Sequence, residues 1–375
     1  MSLLFFEGFE TVGTEVGLAN EATTRPRIAL RFDAVHGGVL PHLYSFFLID
    51  DRFGEGYAVQ MGSNSLSLDN YLQWTIPSGK QGVGASATEF IVGVRVHIPS
   101  TSRTFPVFQV YNSYGSPPGG ADFAVNVVNS ADVSVSRFVG GTIETSTGVF
   151  STDSWAYVEA SFTISSGSST NGSYDVYVDG SQELVSTAAR TNGSSFTQVE
   201  SIRFRSTGQS TTSGDYIGYD DIYILEVDTT APNDFIGPRV QVVSHPPDGD
   251  GTTNWTQSGT GAHYLDINEN GADSADYVET STDTDEEMFD MGDSATNGEF
   301  IAVKVEAEAI AQTTTSHTLD VRLGSGTSVS ETNHAVTSTT AYAVFEHYQV
   351  TDPNGGGAWT QTSIDAAQIG MQFNT

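Results

Sequence analysis

The sequence contains no cysteine. That excludes disulfides, Cys-ligated zinc, iron–sulfur clusters and thiol catalysis. Lysine is nearly as scarce, with Lys80 and Lys304 its only occurrences in 375 residues. Lys plus Arg total 14 against 46 Asp plus Glu, a formal charge of −32. Nucleic acid is therefore excluded as a partner, because binding its backbone takes clustered cations that displace counterions. No apolar run approaches the ~20 residues of a membrane-spanning helix, so no membrane insertion is expected. Neither a Gly-x-x-x-x-Gly-Lys phosphate loop nor a Gly-x-Ser-x-Gly elbow occurs, which removes the nucleotide and serine-hydrolase signals. The eight histidines are scattered, with no pair at zinc-ligand spacing; His97 and His347 sit on strand patterns and read as surface or packing residues.

What is present is enough for a core: 38% of residues are hydrophobic and 11% aromatic. At ~150 residues per domain the length predicts about two domains. Period-two alternation recurs along the chain. Phe90, Val92, Val94, Val96 and Ile98 share one face, with Gly93, Arg95 and His97 opposite. Ala156, Val158, Ala160, Phe162 and Ile164 repeat the pattern against Tyr157, Glu159, Ser161 and Thr163. Tyr174, Val176 and Val178 run into Asp179-Gly180, a pair suited to a type I′ hairpin turn. Further strands are expected at Val199–Arg205 and Tyr216–Val227. Gly-, Ser- and Pro-rich punctuation between short strands predicts an all-β sandwich.

A polar stretch around Asp228–Asp234, containing Pro232, predicts a boundary. Beyond it Arg239–Ser244 reads as a strand ended by Pro246-Pro247 and Asp248–Gly251. An acidic loop region follows, roughly Asp266–Asp293, and then strands at Glu299–Ile310, His317–Leu323, Ala341–Val350 and Gln368–Phe373. The expected division is 1–228 as the first domain, 229–238 as a linker and 239–375 as a second, smaller β domain.

Two carboxylates across a groove could hydrolyse glycosides. Asp220-Asp221 with Glu226 lacks the Glu-x-Asp-x-x-Glu spacing of sandwich glucanases, and Asp285-Glu286-Glu287 with Asp290 reads as a solvated loop. Asp266–Gly271 matches the first half of an EF-hand loop, but Tyr277 stands where the bidentate Glu belongs. An Asx turn explains the same residues. Tyr111 and Tyr114, flanking Pro117–Gly120, and Trp255 are the aromatics placed to stack on a sugar. No catalytic, cofactor-binding or metal residue is assigned, and calcium at Asp266–Gly271 is the one cofactor candidate.

Several segments resemble known modules. Leu4–Glu10, Trp155–Ala160, Tyr174–Gly180 and Tyr216–Leu225 resemble strands of laminin-G-like, concanavalin-A-type jelly rolls, as found in tailed-phage proteins. Phe235–Val240, Gly249–Gly251 with Asn254–Thr256, Asp276–Val278 and Ala358–Thr360 are similar to a tail segment of phage structural proteins. The resemblance implies a jelly roll followed by a second, smaller β-sandwich. It also implies a non-catalytic virion structural protein, such as a capsid decoration, tail-associated protein or fibre. Its partners would be other virion proteins, further copies of itself and a host-surface glycan. Met1–Glu7 lacks the basic and long apolar regions of a secretory signal, which fits a virion protein released by lysis, a mature fragment or an unusual export route. A lectin-like carbohydrate-binding module is the alternative, and a glycoside hydrolase a further one.

Overall fold

A computed structural model describes residues 2–7, 34–36, 46–50, 57–62, 70–83, 88–98, 104–111, 123–129, 131–137, 141–167, 169–192, 198–206, 216–227, 235–238, 242–268, 276–294, 298–313, 317–340 and 342–374. The chain divides into two compact units, Met1–Val243 and Ser244–Thr375. Both are all-β apart from short helical turns.

The strands of the first unit begin with β1 (Ser2–Glu7), β2 (Ala34–His36), β3 (Phe46–Asp50), β4 (Tyr57–Gly62) and β5 (Asn70–Thr75). They continue with β6 (Glu89–Ile98), β7 (Phe105–Tyr111), β8 (Phe123–Val128), β9 (Asp132–Arg137) and β10 (Gly141–Ser146). The last five are β11 (Ser154–Thr163), β12 (Gly172–Val178), β13 (Ser181–Ala189), β14 (Ser201–Ser206) and β15 (Tyr216–Val227). Sheet A runs β13-β12-β11-β6-β15-β4-β3, with β1 also paired to β15; sheet B runs β10-β9-β8-β7-β14-β5-β2. Every pairing is antiparallel and most neighbours are distant in sequence, the signature of a jelly-roll sandwich.

Alternation explains the packing. Val92, Val94 and Val96 of β6 and Val158, Ala160 and Phe162 of β11 meet Phe108, Val110, Phe123, Val125, Ile202 and Phe204 from sheet B in one buried cluster. Phe123 stacks on Phe162 at 5.2 Å between ring centres. Each of these Val, Ile and Phe side chains contributes about 1.5–3 kcal/mol on burial. The Asp179-Gly180 turn adopts φ of 49° and 83°, the paired positive values a type I′ turn needs.

The second unit centres on a five-stranded sheet, order β16-β19-β24-β21-β22. Its strands are β16 (Pro247–Thr253), β19 (Glu286–Met291), β21 (His317–Ser325), β22 (Ser328–Val336) and β24 (Ala367–Asn374). The ribbon β20 (Val303–Ala309) with β23 (Ala343–Gln349) supplies Val305 and Phe345 to a cluster with Val321, Leu323 and Trp359. A small pair, β17 (Thr256–Gln257) and β18 (Val278–Glu279), and helix α1 (Gln361–Asp365) complete it.

Three sequence expectations change here. The strand expected at Arg239–Ser244 is replaced by Pro247–Thr253, inside the predicted terminator; residues 239–241 lie outside the described ones. Pro247 heads an edge strand, where its missing N–H costs no ladder bond. The acidic stretch Asp266–Asp293 is not all loop, since Glu286–Met291 is a strand and Glu287 is fully buried. Alternation along Glu299–Ile310 sets Ile301, Val303 and Val305 on one face and Phe300 on the other, yet Phe300 packs with Val303 and Val305 and bridges to Trp359, while Ile301 is exposed.

Candidate functional site

The outward residues of sheet B form transverse rows set by strand register. Gln73 pairs with Arg203, Arg203 with Gln109, Gln109 with Ala124, and Ala124 with Ser136. Opposed residues of antiparallel strands share a face, so this row crosses five strands and roughly 19 Å at the usual strand spacing. Thr75, Ser201 and Tyr111 form the row beside it. The core residues Leu72, Val110, Ile202 and Phe204 alternate with these positions, which is why the sequence places the polar set outward.

Arg203 is the centre of the face. Its guanidinium lies over Tyr111 at 4.0 Å from the ring centre and over Tyr71 at 4.5 Å. Its Nε donates to Gln73 Oε1 at 2.7 Å. Tyr111 Oη donates to Gln109 Oε1 at 2.8 Å, and Asn126 Nδ2 donates to Ser136 Oγ at 2.9 Å. Tyr71, Gln73, Tyr111 and Arg203 are half-buried, whereas Gln109, Ala124, Asn126 and Ser134 form a buried floor. Among the described residues the Nη edge of Arg203 has no protein partner, leaving a flat two-donor fork suited to a carboxylate.

The residues singled out in the sequence divide clearly. Tyr111 belongs to this face, whereas Tyr114 lies outside the described residues. Trp255 is a packing residue, with its indole N–H donating to Asp285 O at 3.2 Å. Asp221 is buried against Arg95, and Glu226 pairs with Lys80. Glu287 accepts from the backbone N–H groups of Asn254 and Trp255 and pairs with His263 Nδ1 at 2.6 Å. That carboxylate is a structural anchor and no solvated loop residue. Asp266 is buried and accepts from Gly259 N–H at 2.9 Å; residues 269–275 of the calcium candidate lie outside the described residues. No group of three metal-ligating side chains occurs among the described residues. His97 packs edge-on against Trp155, and burial lowers its pKa. His347 is buried, and burial lowers its pKa too.

The sequence alone did not single out Tyr71, Gln73 or Arg203. The alternation of Tyr71, Gln73 and Thr75 against Leu72, Trp74 and Ile76 carries the signal for that strand. Nothing local announces its pairing with β14, about which Arg203 and Gln73 are 130 residues apart.

No protein-family model and no curated protein matches the chain. Solved structures do. The alginate lyase Aly36B, in complex with alginate trisaccharide, is 14% identical, with 60% of this chain and 98% of that one covered and a TM-score of 0.41. The marine PL-14 alginate lyase from Aplysia kurodai is 13% identical, covering 60% and 100%, at 0.43. The endo-β-1,4-glucuronan lyase from Trichoderma reesei is 14% identical, covering 60% and 95%, at 0.40. The likeness is one of fold. The expectation of a non-catalytic virion protein, and of no enzyme, is corrected by this finding: these neighbours are polysaccharide lyases and not phage structural proteins.

Proposed function

We propose that the outer face of sheet B binds a polysaccharide bearing carboxylates and cleaves it by β-elimination. One observation carries the reading: a guanidinium wedged between two tyrosine rings, its Nε held by Gln73, with its Nη edge open among the described residues. A guanidinium fork pairs with a planar carboxylate through two parallel hydrogen bonds. In a uronate, neutralising that carboxylate acidifies the neighbouring C5–H. A base then removes the C5 proton, a C4=C5 double bond forms, and the C4–O4 bond breaks as O4 takes up a proton. The reaction needs no water and no co-reactant. Tyr71 and Tyr111 flank the carboxylate position and are the groups on this face able to move those protons.

Hydrolysis by a carboxylate pair fits less well, because the described outward residues of β5, β7, β8 and β14 include no Asp or Glu. The test is to incubate the protein with polyuronates and with neutral glucans, following the ultraviolet absorbance of unsaturated chain ends. Product is expected from a uronate polymer alone, and Arg203→Met should reduce the rate by about 100-fold or more, the usual cost of losing a charge-stabilising donor. If no uronate polymer is bound or cleaved, the reading fails.

A further inference from the structure

The outer face of sheet A carries a second polar cluster that the proposed function does not use. Arg95, Tyr157, Glu159, Asp221 and Tyr223 are all buried there, on strands β6, β11 and β15. Outward sheet residues normally meet water. Here they meet Phe235–Pro238 and Val242, which lie in the same unit. Gly237 N–H donates to Glu159 Oε1 at 2.8 Å, and Val242 N–H donates to Asp221 Oδ1 at 2.8 Å. Arg95 Nη2 donates to Pro238 O at 3.2 Å, and its Nε holds Asp221 Oδ2 at 2.8 Å. Tyr223 Oη donates to Glu159 and accepts from Ile236 N–H at 3.4 Å. Phe235 lies against Tyr177 at 4.5 Å between ring centres.

Local backbone geometry is adapted to this receptor. The β6–β15 register slips between Asp220 and Tyr223, and Asp221 takes a φ of 45°. A bulge re-aims a side chain, and this one turns the Asp221 carboxylate toward both Arg95 and Val242. Gly237 takes a φ of 95°, a left-handed conformation that brings its N–H onto Glu159.

The attachment differs from that of the sheet beneath it. Sheet A's ladders of β6 with β11 and β15 are complete without the segment. Its described residues belong to no strand and hold on through side-chain anchors, while Phe235 and Ile236 are only half-buried. Sub-global opening is expected where few apolar contacts and no ladder secure a segment. We propose that Phe235–Pro238 with Val242 is a detachable strap. Glu159, Asp221, Arg95 and Tyr223 clamp it shut, and its release uncovers the hydrophobic patch of Ile91, Tyr157, Tyr223 and Leu225 while the sandwich stays folded.

Peptide-level hydrogen exchange on the full chain tests this, comparing a segment spanning 235–242 with β6, in water and in sub-denaturing urea. The strap should exchange at least about tenfold faster than β6 and with no urea dependence, as local openings do. Glu159→Ala, and independently Gly237→Pro, should accelerate the strap a further tenfold or so while its exchange stays independent of urea. The proline variant removes the N–H and forbids the positive φ without touching the sheet. Exchange of the strap in step with β6 and with the same urea slope would overturn the proposal. So would variants that leave the strap's exchange rate unchanged, or that give it the urea slope of β6. Polyuronate cleavage plays no part in the readout, so either idea can fail alone.

Discussion

Gly93 lies directly under the ring of Tyr223, so that a Cβ at position 93 would sit 2.0 Å from Tyr223 Cε1. The two residues are paired across β6 and β15. The glycine is therefore the space in which the phenol lies while its hydroxyl reaches Glu159. Gly93→Ala should destabilise the first unit by about 1–3 kcal/mol, the usual cost of overpacking. Urea midpoints provide the measurement. The double variant Gly93→Ala/Tyr223→Ala should lose clearly less than the two single losses added, because the clash disappears with the ring. Strict additivity would show that the loss at position 93 does not come from the Tyr223 ring.

Glu159 is held by an N–H and a phenol, yet desolvation raises its carboxyl pKa above the ordinary value. A folded-state pKa raised above the unfolded one gives stability that is complete below the unfolded value and is lost as pH rises through the folded one. Lowering the pH from neutrality toward that raised value should then strengthen this corner of sheet A. Glu159→Gln keeps an acceptor oxygen for both donors and should flatten that pH response. Glu159→Ala strands both donors and should cost about 1–3 kcal/mol. Denaturation of the three proteins at several pH values separates the effects.

Strands with a clean alternation of apolar and small or polar side chains were legible from sequence. β6 and β15 fall where the pattern places them, and the hairpin turn at Asp179-Gly180 follows from two residues that tolerate positive φ. Edge strands were not. Ser328–Val336 is mostly polar and exposed, and Pro247–Thr253 consists of turn-forming residues. Neither carries a continuous apolar face, and each pairs with one strand only, at an edge of its sheet. The site escaped for a different reason. Tyr71, Tyr111 and Arg203 come together through the strand order β7-β14-β5, which no short-range signal encodes. The strap escaped too, since Tyr157 and Glu159 alternate with core residues just as solvent-facing side chains would.

His347 is a buried imidazole of the second unit, with Nδ1 at 2.8 Å from Thr332 Oγ1. Burial lowers its pKa, and the neighbouring His334 adds to the effect. The unfolded chain then takes up a proton first as pH falls through about 6.5, so stability is lost from there down to the folded-state value. The second unit should therefore unfold at lower urea at about pH 5.5 than at about pH 7.5. His347→Gln should shrink that difference. His97 carries the same sign into the first unit, because desolvation there outweighs the attraction of Asp153. An NMR titration placing the His347 pKa above 6.5 would refute the assignment.

Salt should act on stability and on ligand binding in one direction. The formal charge is −32, and Lys304 and Arg322 are the only lysine and arginine beyond position 243. Both already pair with carboxylates, Lys304 with Glu306 and Glu346, Arg322 with Glu286 and Glu331. The surplus of carboxylates repels itself over the ~30 Å Debye length of 0.01 M salt and much less over the ~8 Å of 0.15 M. Melting midpoints should therefore rise between those concentrations. A polyuronate meets the same long-range repulsion before it reaches Arg203, where contact is too close to be screened well. Its affinity should accordingly increase over that range, opposite to the falling salt dependence of polyanions on basic surfaces. Affinity that falls steadily from the lowest salt would mean that a wider cationic surface than Arg203 does the binding.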